Sequence, residues 1–298
     1  MTPESGTVAS NAASETGLAE TRWYQDWQHQ EHASRFDGRS ALSERDLVRN
    51  YEAFNDVRLL NERLDRSRPV TLLEVGCATG EFYRYLRIVQ PQVRYYGVDI
   101  SHAAIARAKE KYPEARIVPI EPKAKLAEVI ERIGLSGQPE MVWCKDVIHH
   151  QTDPFKMLTE LLGAASEGVI LRTRTRDAGP TVMDPERSCQ YHYDGWMPYL
   201  VFNLQDLIDR IKLVAPQAEC VVRRHHMILG GRENRFLPKE CYLPATGTAE
   251  TTIGVFWKTD RPGRVSVIDR TDMDVAYPLS WRVQRYVRHL LSPWRSSQ

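Results

Sequence analysis

Length, composition and charge limit the kind of protein this chain can be. It has 298 residues, of which 42% are hydrophobic and 27% charged, and its formal net charge at pH 7 is +1. These values are ordinary for a globular protein and argue against a generally basic nucleic-acid-binding surface, although they allow a local basic patch. No stretch is long and apolar enough to predict a membrane span, and the N-terminus lacks the basic-then-apolar pattern of a secretion signal. We therefore expect a cytoplasmic protein, whose five cysteines include no C-x-x-C pair and are free thiols.

The N-terminal segments differ sharply in composition. Residues 1–20 are rich in Ser, Thr, Ala, Gly and Glu and predict a disordered tail. Residues 21–66 are predicted to form a helical lid, with one helical pattern over residues 42–64 and Ser43 as its N-cap. Three aromatic residues stand close together before that helix, namely Trp23, Tyr24 and Trp27. The sequence leaves open whether they cover a ligand or attach the helix to the core.

The strongest motif is a short apolar run that ends in a glycine-containing turn. Residues 70–75 are apolar apart from Thr71 and Glu74, and a helical pattern begins at Glu81. The turn between them contains three small residues, Gly76, Ala78 and Gly80. A buried parallel strand delivers its carboxyl end to a ligand in this way, because glycine permits close backbone approach and the helix N-terminus offers free N–H groups.

A second strand, residues 94–100, contains Asp99, which follows Gly80 by 19 residues. An acid at about that distance, at the tip of the second strand, is placed to accept hydrogen bonds from a ribose diol. The turn departs from the G-x-G-x-x-G pattern of dinucleotide-binding proteins, because Glu81 stands where the last glycine is expected. A charged side chain fits poorly beside a pyrophosphate.

Glu74 and the three small residues Gly76, Ala78 and Gly80 resemble motif I of class I S-adenosylmethionine (SAM)-dependent methyltransferases. In that motif an acid precedes three glycines, one of which is replaced here by Ala78. The resemblance covers about residues 70–258 and implies SAM as the cofactor. It also implies an α/β, Rossmann-like fold with a seven-stranded, mostly parallel sheet. We expect the SAM-binding methyltransferase domain at residues 67–260, after the helical lid, and a basic helical appendage at residues 261–298. The cofactor contacts implied by the resemblance are Glu74, Gly76, Cys77, Ala78, Gly80, Asp99, Ile100, Glu121 and Lys145.

The remaining elements alternate along the chain. Helices are predicted at residues 81–89, 102–111, 124–133, 154–165 and 203–213. Later strands are predicted at residues 116–120, 141–145, 168–176, 219–229 and 251–258, of which the last two would be the antiparallel sixth and seventh strands. The fold is expected to be complete after Asp260. Residues 280–294 hold a basic amphipathic helix, which can pack on its own domain, on the second subunit of a homodimer or on an anionic membrane.

The loop after the fourth strand brings polar residues to the edge where the resembled family holds its substrate. Candidate catalytic residues there are Asp146, His149 and His150, and histidine titrates near neutral pH. A hydroxyl acceptor needs to lose its proton, so a general base assists its methylation. A neutral amine acceptor needs no base. The sequence does not choose among the three residues, each of which could instead have a structural role. We predict no metal site, because adjacent histidines in an extended strand point apart and no acid or cysteine completes a known spacing.

The fifth strand and the segment after it supply candidate substrate contacts. Arg172, Arg174 and Arg176 alternate, so they share one face. A guanidinium grips a phosphate or carboxylate at two points, although salt bridges to neighbouring acids would explain these arginines equally. Residues 177–202 form a long insert whose aromatic residues suit a sugar, a ring compound or a base. The predicted substrate-binding residues are Arg174, Arg176, Tyr191, His192, Tyr193, Trp196, Trp23 and Tyr24.

Together these features predict a SAM-dependent methyltransferase that modifies an oxygen or nitrogen of a small polar molecule, such as a sugar, a glycan precursor or a natural product. One alternative is a methyltransferase of RNA or protein. Another is a non-catalytic subunit of the same fold that binds a partner through its C-terminal helix. The intact Glu74, glycine turn and Asp99 favour an enzyme, and the modest net charge favours a small molecule over nucleic acid.

Overall fold

A computed structural model describes residues 27–28, 33, 39–184, 186–192, 195–227, 229, 235–238, 241 and 247–269. The helices of this part are α1 (Glu44–Glu52), α2 (Asn55–Arg63), α3 (Glu81–Val89), α4 (His102–Lys111), α5 (Leu126–Arg132), α6 (Pro154–Ala164) and α7 (Leu204–Val214). The first six strands are β1 (Thr71–Val75), β2 (Arg94–Asp99), β3 (Arg116–Pro119), β4 (Met141–Lys145), β5 (Gly168–Arg176) and β6 (Cys189–His192). The others are β7 (Gly195–Pro198), β8 (Phe202–Asn203), β9 (Glu219–His226), β10 (Arg235–Phe236), β11 (Thr248–Phe256) and β12 (Val265–Asp269). The predicted tail and the predicted C-terminal helix lie outside the described residues.

One large sheet forms the centre of the fold, in the order β12-β9-β11-β5-β4-β1-β2-β3, and β8 pairs with β5 beside it. Strands β1 to β5 pair in parallel, while β11 runs antiparallel to both β5 and β9. This confirms the α/β, Rossmann-like fold and its seven mostly parallel strands, which here are β3-β2-β1-β4-β5-β11-β9. Because β2 and β4 lie on opposite sides of β1, the chain changes direction there, and the diverging connections leave a crevice at the carboxyl ends of these strands.

The sheet is larger than the sequence predicted, because it has nine strands rather than seven. Strand β12 pairs in parallel with β9 after Asp260, where the fold was expected to be complete. It covers an edge of β9 that would otherwise expose unpaired backbone groups. A salt bridge between Arg224 and Asp269, with Nε and Oδ1 2.6 Å apart, also joins the two strands.

Helices cover both faces of the sheet. Leu72 of β1 packs in a cluster with side chains of α1 to α4, whereas Leu73 packs in a second cluster with α5, α6 and α7. Adjacent residues of a strand point to opposite faces, so a strand buried on both sides is apolar at successive positions. Among the described helices, none combines the length and the apolar content that crossing a membrane requires.

The helical pattern before β1 forms two helices rather than the single helix predicted for residues 42–64. Ser43 caps α1 as predicted, since its side chain accepts a hydrogen bond from the amide of Asp46. The chain then breaks at Phe54, the N-cap of α2, whose backbone is extended. This break places the Phe54 ring 4.5 Å from Lys145 Nζ and 4.6 Å from the guanidinium carbon of Arg172. Such contacts between a ring face and a desolvated cation are favourable.

The insert at residues 177–202 contains an antiparallel hairpin, β6–β7, which β10 joins to make a separate three-stranded sheet. The end of this hairpin contacts the loop after β4. The amide of Leu200 donates to the carbonyl of His149 at 2.8 Å, and His150 Nδ1 lies 2.7 Å from the carbonyl oxygen of Pro198. The small sheet is thereby held beside the carboxyl ends of β4 and β5.

Candidate active site

A cavity of about 930 Å³ opens at the carboxyl ends of β1, β2 and β4. Open parallel sheets bind ligands at such a reversal of strand order. The volume lies near the upper end of the range of about 300–1,000 Å³ that is usual for ligand pockets. It therefore leaves room for a nucleoside-sized molecule and a smaller one beside it. The predicted site residues that line it are Glu74, Gly76, Cys77, Ala78, Asp99, Ile100, Glu121, Lys145, Asp146, His149, His150 and Arg174.

Other predicted site residues lie away from the cavity. Arg176 donates from Nε to the carbonyl oxygen of Ala178 at 2.5 Å and does not line it. Tyr191 and Trp196 contact each other on the outer side of the hairpin, where 37% and 52% of them are exposed. The structure therefore does not bring these three residues to the cavity. The remaining predicted contacts lie outside the described side chains, namely Trp23, Tyr24, His192 and Tyr193.

The glycine turn owes its shape to two glycines with left-handed backbones. At Gly76, with φ +84°, a Cβ atom would lie 2.3 Å from the side chain of Val147. At Gly80, with φ +76°, a Cβ would lie 2.9 Å from Ile117, so this residue shapes the turn without lining the cavity. Ala78 is also left-handed, with φ 46°, which costs an alanine roughly 1–2 kcal/mol. The turn is thus held in a conformation that its sequence does not favour at every position.

Asp99 ties the glycine turn to the end of β2. Its Oδ2 accepts a hydrogen bond from the amide of Ala78 and its Oδ1 one from the amide of Ser101, both at 2.8 Å. Burial raises the pKa of Asp99, while the two amides oppose this effect. A carboxylate oxygen can accept more than one hydrogen bond, so Asp99 retains capacity for the hydroxyls of a ribose. Apolar side chains that could enclose a base also line the cavity, namely Ile100, Ile120, Leu126 and Met157.

Several polar groups near the turn are buried without a full set of partners. Glu74 accepts a 2.5 Å hydrogen bond from the hydroxyl of Tyr95, and burial raises the pKa of Glu74 to about 8. Among the described residues, the buried polar atoms of the cavity wall without a hydrogen-bond partner include Thr79 Oγ1, Glu81 Oε2 and Trp143 Nε1. Because burying an unpaired polar group is costly, these atoms indicate that a polar ligand completes this part of the cavity.

Lys145 lies among aromatic rings at the end of β4. Its Nζ is 4.5 Å from the ring centroid of Phe54, 5.5 Å from that of Tyr51 and 5.8 Å from that of Trp143. Within the described part of the chain, no carboxylate forms an ion pair with it. Burial, together with the charge of Arg172, lowers the pKa of Lys145 to about 8. This amine therefore changes charge close to neutral pH.

The arginines of β5 are held by internal salt bridges. Arg172 pairs with Asp146 and lies 3.4 Å from Glu250, while Arg174 lies 3.1 Å from Asp146 and 3.2 Å from Glu250. The Nε of Arg174 donates to the hydroxyl of Tyr199 at 3.0 Å, so each of its three nitrogens has a protein partner. Although burial raises it, the two guanidinium groups hold the pKa of Asp146 well below its usual range. Asp146 is therefore a weak base, and the salt-bridge interpretation describes both Arg172 and Arg174.

His149 and His150 follow β4 in a short 3-10 turn, with ring centroids 4.2 Å apart. The Pro198 carbonyl can only accept, so Nδ1 of His150 carries the proton and Nε2 keeps its lone pair. Burial lowers the pKa of His150 to about 4, and burial with the charges of His150 and Arg174 lowers that of His149 as well. Both rings are therefore neutral at neutral pH and able to accept a proton.

Some residues of the cavity wall were missed in the sequence. They include Arg39, Tyr51, Gln190 and Arg235. Tyr199 belongs to the aromatic pattern of the insert, but Arg235 stands in a region with no periodic signal. Trp27, from the predicted aromatic cluster, also lines the cavity, with its ring 5.2 Å from that of His150. In the described part of the chain, no three His, Cys, Asp or Glu side chains lie together as a metal site would require.

Comparison with known proteins identifies the central part of the chain. Residues 73–171, from β1 to β5, match a family model described as a methyltransferase domain. No curated protein is similar enough to this chain to count as a match. The matched segment contains the glycine turn, Asp99 and both cavity histidines.

Solved structures of low sequence identity are also similar. An S-adenosylmethionine-dependent methyltransferase from Clostridium acetobutylicum has a TM-score of 0.43 and 12% identity, over 76% of this chain and 97% of that one. Magnesium protoporphyrin IX methyltransferase from Synechocystis, solved with bound SAM, has a TM-score of 0.40 and 15% identity, over 85% of this chain and 100% of that one. A phosphoethanolamine N-methyltransferase from Haemonchus contortus has a TM-score of 0.45 and 12% identity, over 74% of this chain and 59% of that one.

Proposed function

Since the chain is a class I SAM-dependent methyltransferase, we propose that it transfers the methyl group to an oxygen or nitrogen of a small polar molecule. The observation that supports this proposal is the cavity, which joins the glycine turn and Asp99 to His149 and His150. The hairpin β6–β7 and Trp27 cover it, so a small acceptor fits better than a folded macromolecule. The proposed acceptors are a sugar, a glycan precursor or a natural product, since polar Gln190 and aromatic Tyr199 stand in the wall.

The residues around the turn fit SAM. The methionine half of this cofactor carries an ammonium and a carboxylate. The unpaired Glu81 oxygen suits the ammonium. Arg39 suits the carboxylate, because its Nε donates to the uncharged Asn50 Oδ1 at 2.9 Å and its guanidinium lies over the ring of Tyr51. We propose Asp99 for the ribose, with the methyltransferase domain at residues 67–260 and the helices before it as its lid.

Bound SAM supplies a methyl group on a positively charged sulfur, and the chain has mainly to align an acceptor with it and exclude water. We propose that His150 accepts the proton of a hydroxyl acceptor at Nε2, because Pro198 fixes its tautomer. His149 packs against this ring and against Tyr199. An amine acceptor arrives neutral and needs no base. Asp146 acts indirectly, by holding Arg172 and Arg174 in place.

The first test is calorimetric titration of the protein with SAM and S-adenosylhomocysteine. We expect micromolar binding of both ligands. Asp99→Ala should weaken it at least tenfold, because a ribose diol loses its buried carboxylate partner, an effect of about 1.5–3 kcal/mol for hydrogen bonds to a charged group. Asp99→Asn should lose less affinity for both ligands, since the amide keeps one oxygen acceptor.

The matched control is Asp209→Ala, which changes an exposed aspartate of α7 whose Oδ1 accepts from Gln205. Its affinities should equal those of the unaltered protein. Thermal melts of each variant separate loss of the site from loss of folding. If neither ligand binds the unaltered protein, the proposed function is wrong.

A further inference from the structure

We propose that the acceptor substrate carries a carboxylate, which Arg235 and Gln190 hold beside His149 and His150. This inference rests on the proposed function, because it concerns the acceptor half of the same cavity. It assigns a role to two residues of the small sheet that no sequence motif singled out.

Arg235 is a cation of the cavity wall whose charge no described carboxylate matches. No carboxylate of the described residues forms an ion pair with it, and its buried Nε has no hydrogen-bond partner among them. Its guanidinium lies 4.6 Å from the ring centroid of Tyr199, a contact that orients its plane. An unpaired buried donor is costly to maintain, so a ligand that accepts from it would relieve that cost.

The other arginines at this end of the cavity form ion pairs with carboxylates of the protein. Arg172 and Arg174, which line it with Arg235, share Asp146 and Glu250 between them. Anion binding was predicted for Arg174 and Arg176, but the first is occupied by protein groups and the second lies outside the cavity. Arg235 is the arginine of this region that can grip an anion.

Arg39 and Lys145 also line the cavity without an ion pair to a described carboxylate, but both contact a different part of the wall. Arg39 and Lys145 lie over the ring of Tyr51, which packs on Phe82 of α3, the helix that follows the glycine turn. They therefore belong to the cofactor half. Arg235 belongs to the other half, and its charge is among the causes, after burial, that lower the pKa of His149 and that of His150.

Gln190 provides a second donor for the same group. It is directly paired with Arg235 in the antiparallel register of β6 and β10, so the two side chains stand next to each other on one face. Gln190 is only 4% exposed. Among the described residues, the amide donates only to the thioether sulfur of Met197 at 3.3 Å, which is a weak acceptor. Its donors therefore remain available to a better acceptor.

Charge favours a carboxylate over a phosphate. The Arg235 guanidinium contributes one positive charge, and the Gln190 amide contributes none. A carboxylate matches this charge and accepts two parallel hydrogen bonds from a guanidinium. A phosphate monoester carries about −1.5 to −2 at pH 7 and would remain partly uncompensated.

The test uses full-length protein saturated with S-adenosylhomocysteine and titrated calorimetrically with benzoate, benzamide and phenyl phosphate. These probes share a ring that suits the aromatic wall formed by Tyr199 and Trp27. We expect benzoate to bind at least tenfold more tightly than benzamide, its neutral counterpart. Arg235→Gln should raise the Kd of benzoate at least tenfold and leave that of S-adenosylhomocysteine unchanged. Arg235→Lys keeps the charge without the two-point grip, so it should weaken benzoate about threefold.

Arg210→Gln is the matched control, because Arg210 of α7 also has a buried Nε without a partner among the described residues but does not line the cavity. It should bind benzoate normally. Two results would contradict the anion site and leave the proposed function intact, provided that S-adenosylhomocysteine binds. The first is equal affinity for benzoate and benzamide. The second is an unchanged Kd of benzoate in Arg235→Gln. If phenyl phosphate binds tenfold more tightly than benzoate, the carboxylate assignment is wrong. If S-adenosylhomocysteine itself does not bind, both proposals fall. Should Arg235→Gln not fold, benzoate affinity in Arg235→Lys decides.

Discussion

The two cavity histidines owe their neutral state to burial rather than to a hydrogen bond with an acid. His150 donates to the Pro198 carbonyl, a bond that favours the protonated ring, yet desolvation outweighs it and the pKa of His150 falls to about 4. A base with so low a pKa is weak, but it is already unprotonated at neutral pH. Its charge state should therefore influence stability in acid more than activity near pH 7.

The stability of the protein should fall in acid partly through His150. The unfolded chain takes up this proton near pH 6.5, whereas the folded chain takes it up near pH 4. The contribution of His150 is thus complete above pH 6.5 and is lost as the pH falls toward 4. At pH 4.5 the loss amounts to about 2 kcal/mol. His150→Asn retains an amide donor for Pro198 but does not titrate, so its free energy of unfolding should decrease less between pH 7 and 4.5.

Urea unfolding at a series of pH values measures this difference. His102→Asn is the control, because it removes a histidine whose side chain is exposed at the start of α4. That variant should follow the pH dependence of the unaltered protein. If the free energy of unfolding depends on pH in the same way for His150→Asn and the unaltered protein, His150 has the same pKa in the folded and unfolded chains. The prediction would then be wrong.

The position of a site residue could be predicted when the contacts that fix it lie close to it along the chain. The positions of Glu74 and Asp99 at the cavity could be predicted because one strand and one turn fix their spacing. Arg235 could not be predicted, because it reaches the cavity only through pairing of β10 with β6, some 45 residues earlier in the chain. Nor could the sequence show that Arg176 turns away to bind a carbonyl, since alternation along a strand gives the face and not the partner.

At the scale of elements, salt bridges join the residue after β4 to strands β5 and β11. Asp146 follows β4, Arg172 and Arg174 lie on β5, and Glu250 lies opposite Arg174 on β11. Buried ion pairs contribute little over an apolar packing of the same shape, but removing one partner leaves a charge uncompensated. The cluster should therefore behave as a unit that holds the end of β4 in position.

Asp146→Asn and Glu250→Gln test whether Asp146 has a role beyond this cluster. Each variant removes one of two acids that contact the same two arginines. We expect each to lower the free energy of unfolding by about 3 kcal/mol, measured in urea, because two buried guanidinium groups each lose one acid partner. Their affinities for S-adenosylhomocysteine should change by equal factors. A loss of affinity confined to Asp146→Asn would instead place Asp146 in contact with the cofactor.

Local signals predicted the ends of elements well. Ser101 caps α4 by accepting from the amide of Ala104, and Asn203 caps α7 by accepting from two amides, and both are residue types that favour the N-cap position. The break at Phe54 and the added strand β12 were not predicted. Both depend on contacts with distant residues, a pair of buried cations in the first case and the open edge of β9 in the second.

At the scale of the whole molecule, the cavity is covered from two sides. The small sheet reaches it through Pro198 and Leu200, which bind the turn after β4. From the N-terminal side, Gln28 donates from Nε2 to the carbonyl of Ile100 at 2.6 Å and accepts from the amide of His102 at 2.9 Å. Gln28 thus ties the segment that carries Trp27, which lines the cavity, to the residues that follow β2.

This attachment should slow the escape of the cofactor. Gln28→Ala removes two hydrogen bonds, each worth about 1 kcal/mol, so we expect the Kd of S-adenosylhomocysteine to rise about tenfold, mostly through faster dissociation. Stopped-flow measurement of the dissociation rate provides the test. Gln138→Ala is the matched control, because Gln138 also bridges two elements, by a 2.6 Å bond to the carbonyl of Gly163, but away from the cavity. An unchanged rate in Gln28→Ala would show that Trp27 stays over the cavity without Gln28, and the proposed role of this attachment would be wrong.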